Sequence, residues 1–92
     1  MTRIEATEIG MTNAAAVAVE GRAAIEGGDA DFDLSAVARC DSSAVAVLLE
    51  WQRAARARGL TLSIASAPPG LASLASVYGV EELLPMLAPG PG

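Results

Sequence analysis

The run Cys40-Asp41-Ser42-Ser43 places a thiol, a carboxylate and two hydroxyls on four consecutive residues, where a strand-like pattern gives way to a helix-like one. The first turn of a helix leaves four backbone N–H groups without intrahelical partners, and Asp or Ser side chains accept hydrogen bonds from them. Asp41-Ser42-Ser43 therefore reads as a helix N-cap. The same partly positive helix end also suits a phosphate, or a carboxylate from a partner. Spacing alone does not choose between these uses.

The other residues that could do chemistry are few. Histidine is absent, which removes the commonest general base and the commonest metal ligand. Without such a base Cys40 reads as a small buried residue rather than a nucleophile. Asp31, Asp33 and Asp41 offer oxygen atoms of the kind hard cations prefer. Alternation puts Asp31 and Asp33 on one strand face, but two carboxylates make a poor site and the reading is of solvated strand residues. No phosphate-loop or dinucleotide-binding glycine pattern occurs. The expectation is a chain that is not an enzyme, with no catalytic residues, no cofactor and no metal.

Ninety-two residues, 52% of them hydrophobic, suffice for one small domain and not for two. The expected bounds are residues 1–88 for the domain and 89–92, Pro-Gly-Pro-Gly, for a frayed tail. A net charge of −5 with no lysine argues against a nucleic-acid or anionic-membrane surface. Arg53, Arg56 and Arg58 form the only basic cluster, read as a solvated helix face. No apolar run is long enough to span a bilayer, and the N-terminus lacks the pattern of a secretory signal. A single cysteine makes a reducing, cytoplasmic setting the default.

These residues need elements to position them. Residues 3–9 alternate Ile4 and Ala6 against Arg3, Glu5 and Thr7, as a partly exposed strand would. From Thr12 to Glu26, Ala14, Val17, Ala18, Gly21, Ala24 and Ile25 recur at helical spacing, with Thr12 as the expected cap and Gly27-Gly28 as the stop. Gly21 costs this helix about 1 kcal/mol relative to alanine, so it is expected to permit close approach to the sheet. Residues 29–34 alternate Ala30, Phe32 and Leu34 inward with Asp31 and Asp33 outward. A second helix over 42–58 stops at Gly59, and Leu60, Leu62 and Ile64 mark the next strand. Pro69 opens a third helix whose Leu71, Leu74, Ala75 and Tyr78 share a face and which Gly79 ends. Strands alternating with helices imply βαβ units, hence an α/β fold with a sheet of three to four mostly parallel strands and helices packed against it.

At 100° per residue the second helix puts Ala44, Val47, Leu48, Trp51 and Ala55 on its core seam. Val45 and Leu49 fall on the other side with Ser42, Ala46, Arg53 and Arg56. That nominally solvent face is apolar in its first two turns and basic in its last, and an apolar patch rimmed by charge marks a protein contact surface.

Asp33-Leu34-Ser35, Val37, and Asp41-Ser42-Ser43 followed by a small and a branched apolar residue resemble the signature of STAS domains, the sulfate-transporter and anti-sigma-factor-antagonist family. The similarity runs on through Arg58-Gly59-Leu60 and through Leu74 to Pro85. The Tyr-Gly-Val-Glu-Glu-Leu-Leu-Pro ending resembles the branch that serves the Mla phospholipid-transport ABC systems. The family fold usually carries an additional strand pair, for which this N-terminus is short.

The resemblance implies a cytoplasmic, non-catalytic subunit, peripheral at the inner membrane. It would bind and support the ATPase subunit (MlaF-like) of a phospholipid transporter maintaining outer-membrane lipid asymmetry, and touch the permease only indirectly. Ser42, at the family's hydroxyl position after the Asp, is then the heart of a partner-binding set of Ser42, Ser43, Val45, Ala46, Leu49 and Arg53. The other implied role is an anti-sigma-factor antagonist switched by phosphorylation of Ser42, since a charge of about −1.5 to −2 would disrupt an apolar contact. Ala44 departs from the family pattern, in which many members carry glycine.

Overall fold

The computed structural model describes residues 1–87, and the tail expected at 89–92 lies outside the described residues. In chain order the elements are β1 (Thr2–Arg3), β2 (Glu8–Ile9), α1 (Ala14–Glu26), β3 (Asp31–Asp33), β4 (Arg39–Cys40), α2 (Ser42–Ala57), β5 (Ser63–Ala65) and α3 (Pro69–Val77). Two 3-10 turns, Glu81–Leu83 and Pro85–Leu87, follow. The main sheet has the order β1-β3-β5 and is parallel throughout. Its register opposes Thr2 to Phe32, and Phe32 to Ile64. Helix α1 thus connects β1 to its parallel neighbour β3, and α2 connects β3 to β5, the two βαβ units that the alternation predicts.

A second ladder pairs β2 with β4, also in parallel, with Ile9 opposite Cys40. The single expected strand over residues 3–9 is divided between the two ladders. The alternation changes phase at the break: Ile4 is buried between exposed Arg3 and Glu5, Thr7 and Glu8 are both exposed, and Ile9 is buried. Strand β4 has no sequence signal, being two residues too polar and too short to show a period.

One face of the main sheet is covered and the other is largely open. Ala30, Phe32 and Leu34 are buried while Asp31 and Ser63 are exposed, so this parallel sheet reads as alternation rather than as the continuous apolar run of a sheet covered on both faces. Phe32 and Trp51 stack with ring centroids 4.4 Å apart and planes inclined by 15°. The indole Nε1–H of Trp51 donates to the Ala18 carbonyl of α1 at 3.2 Å, satisfying a polar group that would otherwise be buried without a partner. Sheet, α2 and α1 are thereby joined through one side chain.

That joint corrects the expectation for Gly21. A Cβ built there would lie 2.1 Å from Trp51 Cε2, so the glycine admits the indole of α2 and not the sheet. A second correction concerns the start of α1, where Asn13 and not Thr12 is the N-cap residue. Its side chain faces the preceding turn, accepting from the Gly10 N–H at 2.9 Å and donating to the Glu8 carbonyl at 2.8 Å. The stops fall as expected: Gly28, Gly59 and Gly79 follow the three helices at φ of 96°, 70° and 70°, backbone angles at which a Cβ is strained.

Candidate partner-docking site

Helix α2 begins where the sequence places it. Asp41 is extended, its carboxylate accepts from the Ser43 backbone N–H at 2.8 Å, and the Ser43 hydroxyl donates to the same carboxylate. These bonds, the side-chain one first, hold the Asp41 carboxyl below its ordinary range. Ser42 is exposed, and neither cap bond uses its hydroxyl. The capping work expected of the whole triplet is thus done by Asp41 and Ser43, leaving Ser42 as the solvent-facing hydroxyl of the first turn.

The remaining polar candidates go to separate places. Asp33 accepts from the Ser35 N–H at 2.8 Å, which holds its carboxyl below the usual range. Asp31 is exposed on β3. Among the described residues no group of three His, Cys, Asp or Glu side chains comes together. Cys40 is half-buried rather than buried. Desolvation, with the Asp41 charge beside it, pushes its thiol pKa up, the direction opposite to that of a nucleophilic cysteine.

The core seam of α2 is as expected, Ala44, Val47, Leu48, Trp51 and Ala55 all being buried. With Ala44 only 1% exposed, its methyl is a core contact. The outer face needs correction. Val45 is only 4% exposed and Leu49 is half-buried, whereas Ser42, Ala46, Arg53 and Arg56 are exposed. The reason is tertiary: α3 packs against α2, and Tyr78 and Val80 at its end line the same flank.

The same packing creates a trough. Its upper stretch is lined by Ser42, Val45, Ala46 and Leu49 of α2 and by Tyr78 and Val80 from the segment after α3. Its lower stretch is lined by Leu49, Gln52, Arg53 and Arg56 with Leu83 opposite. Leu49 belongs to both. The Gln52 side-chain amide donates to the Leu83 carbonyl at 3.2 Å, tying the second wall to the helix. Tyr78 and Leu83 remain 56% and 49% exposed, so large apolar surface stands free along this wall.

Of the six expected partner-binding residues, Ser42, Val45, Ala46 and Leu49 line the upper stretch, and Arg53 borders the lower one with Leu49. Ser43 lies half-buried against Asp41. Tyr78, Val80 and Leu83 escaped the sequence reading because they join α2 only through the fold, some thirty residues along the chain. Tyr78, expected on the shared face of α3 with Leu71, Leu74 and Ala75, instead closes that helix as its C-cap residue and stands 56% exposed.

A family model described as Mlab, STAS domain matches residues 6–87. No curated protein matches the chain. The match spans everything from β2 onward, including all three helices, the Asp41-Ser42-Ser43 cap and the segment that forms the second wall of the trough, and the chain accordingly belongs to the MlaB-type STAS-domain family.

Proposed function

We infer that the chain is a non-catalytic subunit that docks through the α2 trough onto the ATPase subunit (MlaF-like) of an ABC-type phospholipid transport system and supports its activity. The observation that carries this reading is the apolar surface that Ala46, Leu49, Tyr78 and Val80 leave open beside the exposed Ser42. STAS domains mediate contacts between proteins, and apolar surface rimmed by polar groups is what such contacts bury. No helix among the described residues is long and apolar enough to cross a membrane, so in this reading the partner holds the chain at the inner membrane. Co-purification of the tagged chain with an untagged MlaF-type ATPase from the same organism tests it. Stoichiometric capture supports the reading, and failure to co-elute from co-expressing cells defeats it.

A second reading has its own observation. Ser42 is exposed and its hydroxyl is free of the cap, as a kinase substrate requires. An anti-sigma-factor antagonist would release its partner when that hydroxyl is phosphorylated, because the added charge would sit at the edge of an apolar contact. A chromosomal neighbourhood of kinase and sigma-factor genes, rather than ATPase and permease genes, would favour it.

A further inference from the structure

The chain carries eleven acidic residues against six arginines, so an arginine has no shortage of carboxylates to pair with. Three of them do pair: Arg3 with Glu5 at 3.7 Å, Arg22 with Glu50 at 3.2 Å and Arg39 with Glu8 at 3.4 Å. Among the described residues, Arg53, Arg56 and Arg58 enter no ion pair, although all three are exposed and stand together near the end of α2. The negative end of the helix dipole accounts for a basic residue in the last turn, where Arg56 lies. That effect fades within one turn and does not reach Arg53. Arg53 and Arg56 instead border the lower stretch of the trough, directly beyond Leu49.

An acid-rich molecule thus keeps its unpaired positive charge at one end of its open apolar groove. We propose that the ATPase segment seated in this trough is amphipathic and acidic at one end. Its apolar side chains lie against Leu49, Tyr78 and Val80, and its carboxylates face Arg53 and Arg56. The proposal rests on the docking reading above and adds the partner's chemistry and polarity. An anionic membrane surface would also attract the arginines, but the net charge of −5 opposes it, and a lipid headgroup has no use for the adjoining apolar trough. Charge complementarity at an interface rim speeds association and fixes orientation, and salt weakens it.

The test measures binding of the full chain to an MlaF-type ATPase from the same organism at low and high salt, with circular dichroism on every variant. Reversing both charges, Arg53→Glu with Arg56→Glu, is expected to weaken binding by about tenfold at low salt and to flatten the salt dependence. The neutral pair Arg53→Gln with Arg56→Gln should fall between. Unchanged affinity and salt slope in the reversed variant would overturn the proposal. If Ala46→Asp nonetheless abolishes binding, the docking reading survives alone; if Ala46→Asp also binds normally, both fall. Sedimentation with phosphatidylglycerol vesicles that depends on the two arginines, beside unaltered ATPase binding, would likewise overturn it in favour of a lipid surface.

Discussion

Gly21 and Trp51 compete for one volume: the place of a methyl group on Gly21 lies 2.1 Å from Cε2 and 2.2 Å from Nε1 of the indole. The ring has no room to yield, being stacked on Phe32 and hydrogen-bonded to the Ala18 carbonyl. Alanine in a helix interior ordinarily gains about 1 kcal/mol over glycine, whereas overpacking a filled core costs about 1–3 kcal/mol. Here the clash is with a fully buried ring, and the cost wins.

Gly21→Ala is therefore expected to lower the urea midpoint despite its better helix propensity. In a Trp51→Phe background, which lacks the ring atoms in question, the same change should cost less, and the difference is the coupling between the two sites. A Gly21→Ala variant as stable as the parent would show that α1 and α2 can separate freely.

The long-range nature of that contact explains what was legible in the sequence and what was not. Periodicity locates α1, α2 and α3, because each carries an apolar stripe at helical spacing, and Phe32 declares its inward direction by alternating with Asp31 and Asp33. The partner of Gly21 is undeclared, since a glycine in an apolar stripe signals close approach without saying to what. The same limit produced the mistake at Val45. Helical phase correctly sets it off the Trp51 seam, but only the packing of α3 and the segment after it decides that this second flank is covered too. Strand β4 leaves no trace because two residues cannot display a period.

The cap on α2 makes stability depend on acid in a defined direction. Asp41 has a folded-state pKa depressed from its ordinary 3.8 by its bonds to Ser43. Its contribution is thus complete above the unfolded value and is lost as pH falls below it. Asp41→Asn keeps a good capping group with nothing to protonate. Between neutral pH and about pH 3 the parent should lose more urea stability than Asp41→Asn, the window over which an ordinary carboxylate takes up its proton. Parallel losses in the two proteins would refute the cap's dependence on charge. Asp29 and Asp33, whose carboxyls are also depressed by hydrogen bonds, titrate in both and cancel from the comparison.

Ser42 and Ser43 should behave differently although they are neighbours of identical type. Ser42→Ala removes a hydroxyl that the cap does not use, so the urea midpoint should hold. Ser43→Ala removes the hydroxyl that donates to Asp41 and should lower the midpoint. Ser42→Glu puts a negative charge in the first turn of a helix with no acidic residue there, which the dipole favours. That variant is expected to fold normally while failing to capture the ATPase. Equal destabilisation by the two alanine changes would place Ser42 in the cap after all.

The trough itself is best probed at its exposed residues. Val45→Asp would bury a charge with no partner, at a position 4% exposed, and should unfold the domain, so lost binding in that variant says nothing about docking. Ala46 is exposed one residue further along α2, and Tyr78 is 56% exposed on the opposite wall. Ala46→Asp should leave the helical circular dichroism and the urea midpoint near those of the parent, yet abolish pull-down of the ATPase, because a carboxylate there would be desolvated under the partner. Tyr78→Ala should weaken capture without altering α2, since it removes an aromatic anchor from the other side of the same groove. Both variants folded and both binding normally would place the contact on another face. Loss in only Ala46→Asp would confine it to α2, and loss in both requires a partner segment that lies along the trough and touches its two walls.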